Sequence, residues 1–273
     1  MRRYDGFVID LDGTVYLGDR LIAGAARAIA RLRAADRRVV FVSNKPIDTR
    51  DAYAANLTRL GIPTRPEDVI NSSLVMARTL ARETPGASVV FVGEPPLVAE
   101  LERAGLAVSE RAEGARWVVL SFDRGFDYRK LDLAFRAVRG GAELIATNPD
   151  RTCPVDGGEL PDCAAMIGAV EGCTGQRVER IVGKPSPEMA AAALERLELP
   201  AAACLVVGDR LETDVRMGAA AGMDTALVLT GVTRADAVPS GAAASGATPD
   251  AVPSDADRPT YVLASIADLE RFA

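Results

Sequence analysis

The stretch Phe-Val-Ile-Asp-Leu-Asp-Gly-Thr at 7–14 places the strongest constraint on the fold. Its apolar start is typical of a short buried strand in a parallel sheet. Asp10 and Asp12 follow, two residues apart, so in an extended chain both side chains point to the same side. Gly13 then ends the strand. Both acids are therefore expected in one pocket at the carboxyl end of this strand, where open α/β sheets bind ligands.

Two carboxylates that close repel each other unless a cation lies beside them. The pair therefore predicts a hard metal ion, and a chemistry that uses one carboxylate as nucleophile, one as acid/base, or both. The chain contains no histidine. This excludes Ser-His-Asp and Cys-His catalysis and histidine-based zinc sites.

The composition predicts a globular cytoplasmic protein of one large or two ordinary domains. The chain has 273 residues, 48% of them hydrophobic, which is enough for a substantial core. A net charge of −6 without Lys/Arg clusters argues against nucleic acid or an anionic membrane surface as partner. We find no apolar run of signal-peptide or transmembrane length. The four cysteines form no CxxC pair and are expected as reduced, small buried residues.

Three more predicted strands end in polar residues. The run 39–42 leads to Ser43 and Asn44, the run 180–182 leads to Lys184, and the run 204–207 leads to Asp209 and Asp214. One parallel sheet would bring these groups into a single crevice with the first pair. Each group alone has a plain structural alternative, since aspartates form turns and Asp214 could cap the helix it begins. Lys184, likewise, could be a solvated loop residue.

The middle of the chain carries a second alternation of strands and helices, from residue 85 to residue 178. By its pattern alone it is either a further part of one long sheet or a separate lid domain. Residues 239–259 are low in complexity, rich in Pro, Ser, Ala, Gly and Asp, and are predicted to form a surface loop within the fold.

Taken together, the predicted groups suit phosphoryl transfer with Mg²⁺. In order along the chain, four motifs resemble those of the haloacid dehalogenase-like (HAD) hydrolase superfamily: Asp-Leu-Asp-Gly-Thr at 10–14, Ser43, Gly-Lys-Pro at 183–185 and Gly-Asp-Arg-Leu-Glu-Thr-Asp at 208–214. The long insertion resembles the C2-type cap of subfamily IIA, which includes NagD-like, p-nitrophenyl phosphate and sugar phosphate phosphatases.

The resemblance implies an α/β fold with a Rossmann-like parallel-sheet HAD core and an inserted α/β C2-type cap. Residues 1–84 and 179–273 would form the core and residues 85–178 the cap. It also implies a Mg²⁺-dependent phosphatase for a small phosphorylated metabolite, of the sugar phosphate, glycerol phosphate or phosphoglycolate type. A homodimer, if one forms, is expected to pair through the cap face.

The resemblance also assigns roles to the motif residues. Asp10 is the nucleophile that forms an aspartyl-phosphate, and Asp12 is the acid and then the base. Ser43 and Lys184 hold phosphoryl oxygens. Mg²⁺ is held by the Asp10 carboxylate, the Asp12 main-chain carbonyl and Asp209. Asp214 lies nearby and is expected to reach the ion through water.

Substrate contacts are expected from the cap, at Asn148 and Asp150, and more weakly from Asn44. The structural alternative for Asn-Pro-Asp at 148–150 is ordinary turn chemistry. The sequence Glu-Leu-Pro-Asp-Cys-Ala-Ala at 159–165 replaces the Pro-Gly-Thr-Gly run that many members of the subfamily carry. Asp162 within it is expected to cap the following helix, with contact to a substrate as its alternative role.

Three other functions remain open from the sequence: a phosphomutase, a dehalogenase on the same core, and a non-catalytic phosphometabolite-binding protein. A cysteine-dependent phosphatase is excluded although Cys204 and Arg210 match its C-x5-R spacing. Its phosphate loop would have to form where we predict a strand, and six extended steps separate the two residues by roughly 20 Å.

Overall fold

The computed structural model describes residues 3–155, 157–238 and 258–273. It divides the chain into two compact units, one of Met1–Ser43, Arg50–Ile70 and Met189–Ala273, the other of Asn44–Thr49 and Asn71–Glu188. The second unit thus extends beyond the predicted cap, 85–178, on both sides. The predicted loop at 239–259 lies outside the described residues except for its last two.

The described strands, in chain order, are β1 (Gly6–Asp10), β2 (Tyr16–Leu17), β3 (Arg20–Leu21), β4 (Arg38–Ser43), β5 (Val69–Asn71), β6 (Ser88–Val92), β7 (Ala107–Val108), β8 (Trp117–Leu120), β9 (Glu143–Ala146), β10 (Thr152–Val155), β11 (Gly158–Pro161), β12 (Cys204–Gly208), β13 (Asp224–Val228) and β14 (Tyr261–Leu263). The described α-helices are α1 (Ala25–Ala34), α2 (Arg50–Arg59), α3 (Ser72–Glu83), α4 (Pro95–Arg103), α5 (Tyr128–Arg139), α6 (Cys163–Thr174), α7 (Pro187–Leu197) and α8 (Arg216–Ala220).

The first unit is built on a sheet with the strand order β14-β13-β12-β1-β4-β5. The central strand β1 pairs in parallel with both β12 and β4, and β13 pairs in parallel with β12 and β14. All five residues of β1 are buried, which is the burial expected of a strand covered on both faces. The carboxyl ends of β1, β4 and β12 therefore lie at one edge.

Helix α1 shows how the sequence covers this sheet. Ala25, Ala28, Ile29 and Leu32 recur at helical spacing and are buried in the same core cluster as Phe7 of β1. A small hairpin follows β1, because β2 and β3 pair antiparallel across a two-residue turn. A 3₁₀ helix, Ile266–Phe272, ends the chain with a capping box at Ser265.

The second unit contains a smaller sheet with the order β7-β6-β8-β9, whose strands pair in parallel. Asn71 caps helix α3, since its side chain accepts a hydrogen bond from the Leu74 amide. The antiparallel hairpin of β10 and β11 was not predicted from the sequence. No helix within the described ranges has both the length and the apolar character needed to cross a membrane.

The predicted strand at 180–182 is wrong. Only Ile181 forms a β-bridge there, with Ala146 at the end of β9 in the second unit. The pairing does not continue, because the next amide in register, that of Lys184, donates to the Asn44 side chain instead. The segment before Lys184 is therefore not a strand of the six-stranded sheet, whereas the segments before the other predicted groups are.

The cysteines are free thiols, as predicted, but they do not share one environment. Cys153, Cys163 and Cys204 are buried, whereas Cys173 is exposed. Burial raises the pKa of the Cys163 thiol to about 12 and that of the Cys204 thiol to about 11. Cys204 lies in β12, so the C-x5-R spacing does not form a phosphate loop.

We predict that one thiol per native chain reacts rapidly with Ellman's reagent near neutral pH. The thiolate is the reactive form. Burial protects Cys153, Cys163 and Cys204, and the raised pKa of Cys163 and Cys204 further lowers their thiolate fraction. Absorbance at the released thionitrobenzoate band measures the count, and guanidinium should expose all four thiols. Cys173→Ser should remove the rapid phase; a rapid phase that survives this substitution would contradict the assignment.

Candidate active site

Asp10 is the last residue of β1 and is buried, with 5% of its surface exposed. The chain then turns tightly, since the Val15 amide donates to the Leu11 carbonyl at 2.8 Å. Gly13 lies in this turn with φ +83°, a conformation that glycine adopts without strain. Asp12 is partly buried in the same turn. The turn thus keeps both acids at the carboxyl end of β1, as the sequence predicts.

Asp209 and Asp214 follow β12, the neighbour of β1, and both are about 1% exposed. Asp214 lies within a π-helical turn, Leu211–Val215, and its carboxylate accepts a hydrogen bond from the Arg210 amide at 3.1 Å. It therefore does not cap a helix that begins at residue 214, the structural alternative considered above. A Cβ at position 208 would overlap the Asp214 carboxylate, so Gly208 leaves the space that this side chain occupies.

Three buried carboxylates meet at this edge of the sheet. Asp10, Asp209 and Asp214 each place one oxygen so that the three oxygens lie within 4.8 Å of one another. Like charges this close favour a divalent cation between them, and carboxylate oxygens are the ligands that Mg²⁺ prefers. The residues present therefore fit a Mg²⁺ site. The Asp12 carboxylate is not part of this group, so a contribution from its main-chain carbonyl stays a prediction.

The loop after β13 holds Asp209 in place. The Val232 amide donates to the Asp209 carboxylate at 2.6 Å, and the Thr233 amide donates to its carbonyl at 3.1 Å. The Thr230 hydroxyl donates to the Gly13 carbonyl at 2.7 Å, which ties this loop to the turn after β1. Our sequence analysis missed these residues. The sequence feature that could have indicated them is Gly231, which comes shortly after β13, a third strand whose carboxyl end lies at the same edge of the sheet.

Ser43 is the last residue of β4, on the other side of β1. Its neighbour Val42 stands opposite Asp10 in the strand register, so the two chain ends are level. The Ser43 side chain is buried, with 2% exposed. The structure thus brings Ser43 to the same sheet edge as the carboxylate group.

In the second unit, Asn44 holds the main chain at Lys184. Its side-chain oxygen accepts from the Lys184 amide at 2.7 Å, and its side-chain nitrogen donates to the Lys184 carbonyl at 3.1 Å. A Cβ at Gly183 would overlap both the Thr147 carbonyl and the Asn44 side chain. Lys184 is only 3% exposed. The side-chain amide of Asn44 therefore makes the two hydrogen bonds to the Lys184 backbone that a neighbouring strand would otherwise make.

The same unit brings together the other predicted substrate contacts. Asp150 accepts hydrogen bonds on one carboxylate oxygen from Asn44 at 3.1 Å and from Asn148 at 3.0 Å. Asn148 is fully buried and also donates to Asp162 at 3.0 Å. Asp162 caps α6 by accepting from the Cys163 amide, as predicted. Asn44 and Asn148 thus hold one oxygen of Asp150 in a fixed direction.

Two family models match the chain. Residues 7–107 match the model described as haloacid dehalogenase-like hydrolase, and residues 181–269 match the model described as HAD-hydrolase-like. Together these matches include every motif quoted above for the resemblance.

Sequence and structure comparisons find similar phosphatases. The chain is 42% identical over 226 residues to the sugar-phosphatase AraL of Bacillus subtilis, with 83% of each chain covered. A p-nitrophenyl phosphatase structure from Archaeoglobus fulgidus superimposes with a TM-score of 0.87 at 30% identity, covering 100% of both chains. A glycerol phosphate phosphatase of Mycobacterium tuberculosis, solved with magnesium, gives a TM-score of 0.86 at 35% identity, covering 98% of this chain and 76% of the other.

We predict that Gly231→Ala weakens Mg²⁺ binding by roughly tenfold or more, because the added methyl overlaps the Asp209 carboxylate and displaces it. Isothermal titration of the purified protein with MgCl₂ measures this directly. Gly168→Ala is the matched control, since nothing lies within 4 Å of a Cβ there. Equal Mg²⁺ affinity in both variants would show that Asp209 does not hold the ion.

Proposed function

Because this chain belongs to the haloacid dehalogenase-like hydrolases, and within them to subfamily IIA, we propose that it hydrolyses small phosphate monoesters through a phosphorylated Asp10. It is a Mg²⁺-dependent phosphoric monoester hydrolase with a Rossmann-like core. The observation that carries the assignment of Asp10 is its position in the group of three buried carboxylates, where Asp209 and Asp214 lie within 4.8 Å.

In the first step, a carboxylate oxygen of Asp10 attacks phosphorus as the ester P–O bond breaks. Asp12 gives its proton to the leaving alkoxide, and then takes a proton from the water that hydrolyses the aspartyl-phosphate. The Ser43 hydroxyl and the Lys184 ammonium bind phosphoryl oxygens. Mg²⁺, when bound by Asp10, Asp209, Asp214 and the Asp12 carbonyl, supplies the positive charge that a carboxylate facing a phosphate dianion requires.

The difference in burial between the two motif acids supports these roles. Asp10 is buried at the end of a strand, where its carboxylate has a fixed direction. Asp12 is partly exposed in the following turn, where exchange of a proton with substrate and water is easier. A fixed nucleophile and a more accessible acid/base are what a two-step transfer needs.

For the substrate we propose a phosphorylated sugar or polyol, of the sugar phosphate, glycerol phosphate or phosphoglycolate type. The names of the relatives support this class, since they include a sugar phosphatase and a glycerol phosphate phosphatase. We assign Asp150 to contact with substrate hydroxyl groups. Asn44 and Asn148 contribute by holding one Asp150 oxygen, which fixes the direction of the other oxygen of that carboxylate.

We further propose residues 85–178 as the cap domain, and its face as the surface of a homodimer. The four-stranded sheet between residues 88 and 146 supports a separate α/β layer in this part of the chain. The cytoplasmic location and the absence of nucleic-acid or membrane partners stay predictions from the composition.

We predict that Asp10→Asn lowers phosphate release by more than about a thousandfold, because an amide is a poor nucleophile. Asp12→Asn should differ in kind. With p-nitrophenyl phosphate, whose leaving group needs no proton, it should release one equivalent of nitrophenolate rapidly and then turn over slowly. Stopped-flow absorbance and a free-phosphate assay measure both phases, and circular dichroism checks folding.

Asp19→Asn, on the exposed turn between β2 and β3, is the matched control and should retain full activity. Phosphate release that survives Asp10→Asn would refute the nucleophile. Conversion of a sugar phosphate to an isomer without free phosphate would identify a mutase instead.

We predict that Asp150→Asn lowers kcat/KM for glycerol phosphate by roughly tenfold while that for p-nitrophenyl phosphate changes little. The amide oxygen of the new asparagine can still accept from Asn44 and Asn148. The substitution therefore changes only the second carboxylate oxygen, which becomes an NH₂ donor in place of an acceptor. Steady-state kinetics with both substrates tests this, with Asp132→Asn on the surface of α5 as control. An equal loss for both substrates would contradict a role in specificity.

A further inference from the structure

The first unit contains a second polar cleft of ≈ 680 Å³ at the amino end of β4. Five arginines line it, whereas the carboxylates in its lining are those of Asp68 and Glu198. The arginines are Arg33, Arg37, Arg38, Arg65 and Arg196. Arg38 begins β4 and Ser43 ends it, so the cleft and the candidate active site lie about 16 Å apart along the strand.

The ion pairs of this cleft leave positive charge in excess. Asp68 is shared, at 2.6 Å by Arg196 and at 3.4 Å by Arg65. Arg38 pairs with Glu198 at 3.1 Å, and Arg37 pairs with Asp5 at 2.7 Å. The Asp68 carboxylate is therefore shared by two guanidinium groups, and Arg33 adds a further positive charge.

Arg33 has no carboxylate partner within the described parts of the chain. Its guanidinium donates to the Pro63 carbonyl at 2.5 Å and lies over the Phe41 ring. Burial lowers the pKa of this guanidinium, the charge of Asp68 opposes that effect, and the charge of Arg65 adds to it. A charged group that is half buried beside a like charge is stabilised by an anion.

Arg37, a second arginine of the cleft lining, has a donor that is unsatisfied within the part of the chain that the structure describes. The Arg37 side chain is only 11% exposed, and its Nε is buried without a hydrogen-bond partner among the described residues. Guanidinium groups bind phosphate and carboxylate through paired N–H donors. The guanidinium groups of Arg33 and Arg37 thus match oxyanion chemistry.

The size and lining of the cleft indicate the rest of the ligand. Its volume is within the range of small-molecule sites and exceeds what a single inorganic anion fills. Val39, Pro63 and Leu197 supply apolar surface next to the arginines. Two guanidinium groups in excess, with an apolar wall, fit an organic body that carries two negative groups.

We propose that this cleft is a binding site for a small organic dianion with two oxyanion groups, phosphate or carboxylate, separate from the catalytic carboxylates. The ligand's oxyanions bind to Arg33, Arg37 and Arg65, and its body lies against Val39 and Pro63. This site does not depend on the proposed catalytic function, and its test measures binding rather than turnover.

The experiment titrates the Mg²⁺-loaded full chain with 1,3-benzenedisulfonate, a rigid dianion that a phosphatase does not hydrolyse. Isophthalate, which carries two carboxylates in the same geometry, shows whether the cleft prefers planar carboxylates or tetrahedral oxyanions. Benzenesulfonate, which carries one charge, shows whether binding requires two. Isothermal titration at constant salt compares wild type, Arg33→Gln/Arg65→Gln and Arg129→Gln/Arg234→Gln. The last removes two charges at arginines that are 93% and 86% exposed.

We expect at least one dianion to bind wild type and the Arg129/Arg234 variant equally, and the Arg33/Arg65 variant at least about tenfold more weakly. Arg65→Gln alone, at a residue whose side chain is 73% exposed, repeats the test without disturbing Arg33 packing and should give a smaller loss. Equal affinity in all variants, or no binding of either dianion to wild type, would overturn the proposal.

Discussion

The candidate site of the first unit depends on the sheet holding three buried carboxylates close together against their mutual repulsion. Asp10, Asp209 and Asp214 come from two neighbouring parallel strands whose carboxyl ends are level. Bringing three negative charges together in a buried place costs free energy unless a divalent ion is bound. The fold therefore concentrates negative charge at this edge of the sheet, and the glycines at 13, 208 and 231 leave the space that the Asp209 and Asp214 carboxylates occupy.

Main-chain groups help to keep two of these acids in place. The amide of Val232 binds the Asp209 carboxylate, and the amide of Arg210 binds that of Asp214. These backbone donors contribute to the orientation of the two carboxylates. This explains why the loop after β13 contributes to the site although it carries no acid or base of its own.

The second unit uses amide side chains for the same purpose. Asn44 pairs with the main chain of Lys184, and together with Asn148 it orients Asp150. A side-chain amide offers both a donor and an acceptor, so it can satisfy a peptide unit that no strand reaches. Asn44 and Asn148, predicted from the sequence as substrate contacts, thus also hold Asp150, and their direct contact with substrate stays a prediction.

The sequence by itself determined the αβ alternation, the central strands, the helices and the order of the catalytic motifs. Apolar runs of β-branched residues and helical stripes such as Ala25–Leu32 are local patterns, and local patterns can be read from neighbours in the chain. Only the tertiary structure decided that the segment before Lys184 pairs with β9 by a single bridge, that residues 230–233 fix Asp209, and that five arginines share one cleft. Those features arise from contacts between residues far apart in sequence, and periodicity carries no information about such contacts.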